Sequence, residues 1–134
     1  MASTAFVLIL SGLLAATPAA LAAPPAGEYR GLHEDRGRPL PVILLLEGSG
    51  RIGDPAGRIR FEEPWSCGFE LQYSGDQGAV GIYSFRGAGA GPCRPLTQGY
   101  ARLQPGGDGL QLELVGADRG VSAKIRLNPV AKRD

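Results

Sequence analysis

Eight segments between Gly27 and Pro129 share one rhythm, apolar and polar side chains alternating every two residues, with Gly, Asp or Pro at nearly every join. That period belongs to an extended strand, whose successive side chains point to opposite faces. "GEYRGLHED" opens the series. "PVILLLEG" is the most apolar run, with Val42, Leu44 and Leu46 on one face and Ile43 and Leu45 on the other. "GRIRFEE", "CGFELQY", "AVGIYSFR", "GYARLQP", "GLQLELV" and "VSAKIRLNP" follow. In most of them the division is clean: Ile59 and Phe61 against Arg58 and Arg60, Leu110, Leu112 and Leu114 against Gln111 and Glu113. Short joins make antiparallel neighbours. A sheet with one apolar face must cover it, and eight sequential strands can do so by closing on themselves. The expected fold is therefore all-β, a small eight-stranded antiparallel up-and-down barrel, with a two-sheet β-sandwich as the alternative. At this strand length Leu, Ile, Val and Phe should fill the lumen, which leaves binding to loops and rims.

The stretch before this pattern sets the compartment. Ala5 to Ala16 is an apolar run of about a dozen residues, shorter than the roughly 20 a spanning helix needs. Pro18 and the small-x-small triplet Ala20-Leu21-Ala22 come next, so residues 1–22 read as a signal peptide cut after Ala22. Residues 2–6 carry no Lys or Arg, so only the terminal amine supplies the positive charge usual at such a start. No cysteine lies near the cut to accept a lipid. Residues 23–134 remain as a single domain, with no membrane insertion expected after cleavage and a periplasmic or secreted location.

All charges lie in that domain, 14 Lys and Arg against 13 Asp and Glu, for a net +1. So even a balance excludes the strongly basic surface that nucleic acid requires. The two cysteines of an exported chain favour one disulfide, Cys67 to Cys93. Its closure would contribute about 3.5 kcal/mol on the chain-entropy model.

The segment from Glu63 to Cys93 concentrates the sticky residues of the chain, including its only tryptophan. It reads as a hairpin, "CGFELQY-SGDQG-AVGIYSFR", and then a glycine-rich excursion, "GAGAGP", tied back by the disulfide. Trp65 either plugs one barrel end or joins a rim patch with Tyr83 or Phe85, Arg86 and Arg94. Aromatic residues and Arg are the side chains that dominate binding energy at protein interfaces, so these five are the candidate partner-binding residues.

Catalytic chemistry finds little support. "GSGRIG" matches the glycine spacing of a dinucleotide fold, but "DPAG" and another strand follow where a helix is required. It reads as a loop. His33 is the only histidine and reads as a strand-end surface residue, and no serine sits in a nucleophile-elbow context. Neighbouring Glu62 and Glu63 point to opposite faces of a strand and cannot flank a glycosidic bond. The expectation is a non-enzyme without cofactor or metal.

"GEYRG", "PVILLL", "CGFEL", "YSFRG", Cys93 and "GGDGLQLEL" together resemble a group of small exported bacterial β domains. Some of these stand alone, and some form the extracellular ends of actinobacterial serine/threonine kinases. The resemblance implies an exported binding or sensing domain and nothing catalytic. Periplasmic lysozyme inhibitors are similar in size and architecture, but "YSGDQG" lacks the Tyr of their Ser-Gly-x-x-Tyr loop. Avidin-type barrels share the meander and an early G-x-[WY], here Gly27-Glu28-Tyr29, yet need several tryptophans. The expected function is binding of a protein partner in the envelope or outside the cell, as an inhibitor of a lysozyme or of an envelope-targeting toxin would do. A small-ligand or lipid carrier and a structural envelope component are the alternatives.

Overall fold

The computed structural model describes residues 12–13, 24–48 and 50–131. The signal peptide expected over residues 1–22 and its cut after Ala22 lie outside the described residues, apart from Gly12 and Leu13. Eight strands follow one another: β1 (Gly27–Asp35), β2 (Arg38–Leu46), β3 (Pro55–Phe61), β4 (Cys67–Gln77), β5 (Val80–Arg86), β6 (Tyr100–Gly106), β7 (Gly109–Val115) and β8 (Val121–Pro129). Each pairs antiparallel with the next and β8 returns to β1, so the sheet closes into a barrel. Closure leaves no place for the sandwich alternative.

The alternating pattern explains why the barrel closes as it does. Register sets inward residues opposite inward residues: Leu44 faces Ile59, Ile59 faces Phe69, Leu103 faces Leu112 and Leu112 faces Ile125. All are buried, and among the described residues no polar or charged side chain is buried with them. Each such side chain contributes about 1.5–3 kcal/mol by leaving water. A one-residue slip of any strand would turn its whole apolar set outward, so the burial fixes the register. The lumen is filled, as the side-chain sizes lead one to expect.

Two segments differ from the reading of the sequence. "SGDQG" is not the turn: β4 runs through it to Gln77, and the turn is Gly78-Ala79. A bulge between Tyr73 and Asp76 absorbs the irregularity, with Gly75 at φ 105°. "GAGAGP" is also more than an excursion, because it leads into a 3-10 helix, Gly91–Leu96, whose Cys93 and Leu96 are buried. Gly89 presses so closely on the Cys93 carbonyl and the Phe69 ring that a Cβ there would overlap both. Its N–H donates to Thr97 Oγ1 at 2.8 Å. Glycine at 89 thus lets the backbone approach the Phe69 ring, which stacks on Phe85 with centroids 4.7 Å apart.

The disulfide joins Cys67 at the start of β4 to Cys93, with Cα atoms 6.2 Å apart. It pins the 3-10 helix over the barrel end that the helix covers. The opposite weakness is the seam, where β1 and β8 pair only through Tyr29–Pro129 and Arg30–Asn128. Replacing both cysteines by alanine is expected to lower the unfolding free energy by about 3.5 kcal/mol, the entropy of the loop they close. Urea unfolding followed by far-ultraviolet circular dichroism, compared with the oxidised wild type, measures it.

Candidate functional site

The barrel has two unlike ends. At one end lie Pro25 ahead of β1, the β2–β3 loop, the Gly78 and Gly107 turns, and Pro129. At the other lie the β1–β2, β3–β4, β5–β6 and β7–β8 connections, with the disulfide and Trp65. The Trp65 end gathers Asp35, Arg36, Pro64, Trp65, Pro92, Pro95, Leu96 and Ser122 around a depression of about 500 Å³.

Trp65 is half-buried. Its ring packs against Phe61, centroids 5.1 Å apart, and its Nε1–H donates to Asp35 Oδ2 at 2.9 Å. Trp65 therefore does what the plug reading asks, and it also keeps part of its surface at the rim depression. Arg94 is exposed on the 3-10 helix above it. Arg86 is exposed as well, but on the outer wall, where its Nη1 donates to Gln72 Oε1. Tyr83 and Phe85 do not join these three. They occupy the inward phase of β5 and are 3% and 5% exposed, so no partner at the rim can touch them. Period-two counting places Phe85 on the same face as Cys67 and Phe69, and that face is the lumen.

The Trp65 end carries a feature that pattern reading passed over. Arg36, Ser66, Gln98 and Arg119 have φ of 51°, 45°, 65° and 65°, and each lies in a different one of the four connections at this end. A non-glycine residue held in the left-handed region costs about 1–2 kcal/mol. Glycines take positive φ at both ends, Gly37, Gly87 and Gly91 here and Gly53, Gly78 and Gly107 at the far end, and do so without that cost. A signal was present in the sequence: Asp-Arg-Gly occurs twice, at Asp35-Arg36-Gly37 and Asp118-Arg119-Gly120. Both copies fold at this end. In one, Asp35 anchors Trp65; in the other, Asp118 Oδ1 accepts the Gly120 N–H at 2.9 Å. Each aspartate is thereby tied into its loop, and each arginine is left exposed at a tip.

The far end holds three tyrosines. Tyr29 donates its hydroxyl proton to the Pro25 carbonyl at 2.7 Å, and the Tyr73 and Tyr83 rings meet at 5.6 Å. Burial, aided by Tyr73, Asp76 and Tyr29, pushes the Tyr83 phenol up to about 12. The Asp76 carboxylate, through a hydrogen bond first and its charge last, with burial between, raises Tyr73, and burial raises Tyr29. These phenols seal the lumen as neutral groups.

Residues that hydrolytic chemistry would need are scattered. His33 takes the inward phase of β1 opposite Leu40 and is half-buried rather than a surface residue. Ser74 and Ser84 hydrogen-bond each other at 2.6 Å on β4 and β5, which do not adjoin β1. Among the described residues no three His, Cys, Asp or Glu side chains gather as a metal site. No helix among them is long and apolar enough to cross a membrane. The "GSGRIG" segment lies between β2 and β3 with no helix after it. Comparison with protein-family models, with curated proteins and with solved structures gave no match. What stands at this point is a class: a closed, filled, eight-stranded antiparallel barrel with one disulfide.

Two outcomes follow from the geometry. Trp65→Phe keeps the contact with Phe61 but leaves Asp35 Oδ2 without its donor, and should lower the unfolding free energy by about 1–3 kcal/mol in urea titrations. The raised Tyr83 value has a definite sign. Its neutral form is favoured by folding, so that contribution is complete below about pH 10, the ordinary tyrosine range, and is lost as pH rises through about 12. Phenolate absorbance of the folded protein should therefore lag that of the urea-unfolded chain, and Tyr83→Phe should remove the latest-titrating component.

Proposed function

We propose that this chain is an exported, non-catalytic binding protein that engages a macromolecular partner through the loops at its Trp65 end. One observation carries the reading: among the described residues, the four non-glycine residues in the left-handed region all belong to that end, one per connection. Conformational cost that a glycine would remove is retained where a side chain is needed, and such residues concentrate at binding sites. The arginines of the two Asp-Arg-Gly turns, Arg94 and the exposed part of Trp65 are side chains suited to dominate a protein interface. The disulfide supports an oxidising compartment, periplasmic or extracellular. A rigid, stapled rim loses little entropy on binding, which suits an inhibitor that enters the cleft of a lysozyme or neutralises an envelope-targeting toxin. The filled lumen speaks against the carrier alternative, which needs a cavity.

The experiment is native mass spectrometry of the non-reduced protein recovered from its own envelope. It is run beside a variant carrying Arg36→Gly and Arg119→Gly. The expected result is a protein companion of defined stoichiometry that the variant loses at least tenfold, a difference of about 1.4 kcal/mol. The variant itself should be at least as stable as the wild type, because glycine takes both positions without that conformational cost. Equal recovery of the companion by both proteins would remove the rim from the account, and a small bound mass would restore the carrier.

A further inference from the structure

One strand of the barrel is apolar on the wrong side. Ile43 and Leu45 of β2 point outward, as the run "PVILLLEG" requires, and both are half-buried although no element among the described residues covers them. Register shows what stands beside them. Ile43 lies between Arg30 on β1 and Arg60 on β3; Leu45 lies between Glu28 and Arg58. Leu32, 68% exposed, extends the apolar surface along β1 opposite Pro41. Of these, Arg30, Leu32, Pro41 and Ile43 line a groove of about 690 Å³, with Arg126 and Asn128 of β8 on its far side and Glu62 at one end, while Arg58, Arg60 and Leu45 stand beside it. On the other flank of the Arg58–Arg60 pair is a second depression of about 390 Å³ over Gly68, bordered by Ser66, Glu70 and Arg86.

The charges are uneven. Among the described residues the one ion pair is Arg30–Glu28, at 3.4 Å. Arg58 is in register with Glu70, yet the two are not within ion-pair distance. The guanidinium groups of Arg58 and Arg60 thus form a ridge between two hollows, one with an aliphatic floor and one with a glycine floor.

We infer that this outer wall is a second interaction surface, distinct from the Trp65 end, and that it takes an extended acidic segment of a partner protein with aliphatic residues between its carboxylates. Aliphatic side chains of the segment would fill the Ile43–Leu32 groove. Its carboxylates would meet the Arg58–Arg60 ridge and Arg126, since planar guanidinium groups match carboxylates bidentately. An anionic bilayer offers negative charge too, but Pro41, Ile43 and Leu45 are half-buried among exposed arginines, and Leu32 alone stands out from them. Insertion into a bilayer needs apolar groups that protrude past the charges.

The probe is a fluorescein-labelled peptide of about eight residues, roughly 27 Å when extended at ~3.4 Å per residue. It repeats Glu-Glu-Leu-Leu, so that each face of the extended peptide carries both residue types, and two controls replace every Glu by Lys or every Leu by Ser. Fluorescence anisotropy with the oxidised protein should show saturable binding of the Glu–Leu peptide at least tenfold tighter than either control. Binding should weaken as the screening length falls to ~3 Å at 1 M ionic strength. Arg60→Glu and Ile43→Ser should each weaken it about tenfold, while Arg36→Gly, at the Trp65 end, should leave it unchanged. Arg60 is exposed, so its variant keeps the test valid if Ile43→Ser fails to fold. Equal binding of the Lys–Leu peptide, no binding of the Glu–Leu peptide, or indifference to Arg60→Glu would overturn the inference. So would binding of phosphatidylglycerol vesicles that Arg60→Glu abolishes while the peptide stays unbound, which would make the surface lipid-facing.

Discussion

Every strand in this chain has one face that must leave water, and nothing but the strands themselves is available to cover it. The chain has no α-helix among its described residues to lay across a sheet. Closure is the remaining way to bury a single apolar face, and it forces the side chains of eight strands into one lumen. That lumen then accepts only groups that fill it. The buried inward set is accordingly Leu, Ile, Val, Phe, Ala and tyrosine, with Tyr29 and Tyr73 turned to one mouth, where Pro25 and Asp76 meet them. The other mouth is shut by Trp65, Leu96 and the pinned Cys93. Chemistry with a partner is thereby confined to what stands outside the wall or around the two ends.

Most of the architecture was legible because the strand period is two and the joins are short. β1, β7 and β8 begin and end at the residues the alternation marks, and the other strands differ by a few residues. The misread stretch, "SGDQG", looks like a turn because Ser, Gly and Asp favour one. A bulge at Gly75 lets β4 pass through it, and pairing with β5 continues at Asp76–Gly81. Propensity is local, whereas the ladder that overrides it is made by the neighbouring strand.

The candidate site was legible only in part. Trp65 and Arg94 stand at the disulfide end of the barrel, whereas Arg86 lies on the outer wall. Tyr83 and Phe85 were selected for side-chain type, although their own alternation already assigned them to the lumen face. The paired Asp-Arg-Gly turns are visible in the sequence as a repeat of three residues. That they fold at the same end depends on an even number of strands separating them, which only the topology supplies. Opposite charges lie in cross-strand register at Arg58 with Glu70 and at Glu113 with Lys124. Register places backbones, and the long side chains above them need not meet; among the described residues the single pair that forms, Arg30–Glu28, lies along one strand.

The two-pair seam has a geometric corollary. Because β8 closes on β1 beside Tyr29, and the Val130 N–H donates to the Glu28 carbonyl, both ends of the described domain leave from the same mouth. That mouth is the one sealed by tyrosines. Any anchor, tag or neighbouring domain joined at either terminus would hold the barrel by its back, with Trp65, Arg36 and Arg119 facing away like the working end of a tool. Immobilising the protein through either terminus would therefore orient it with that face free.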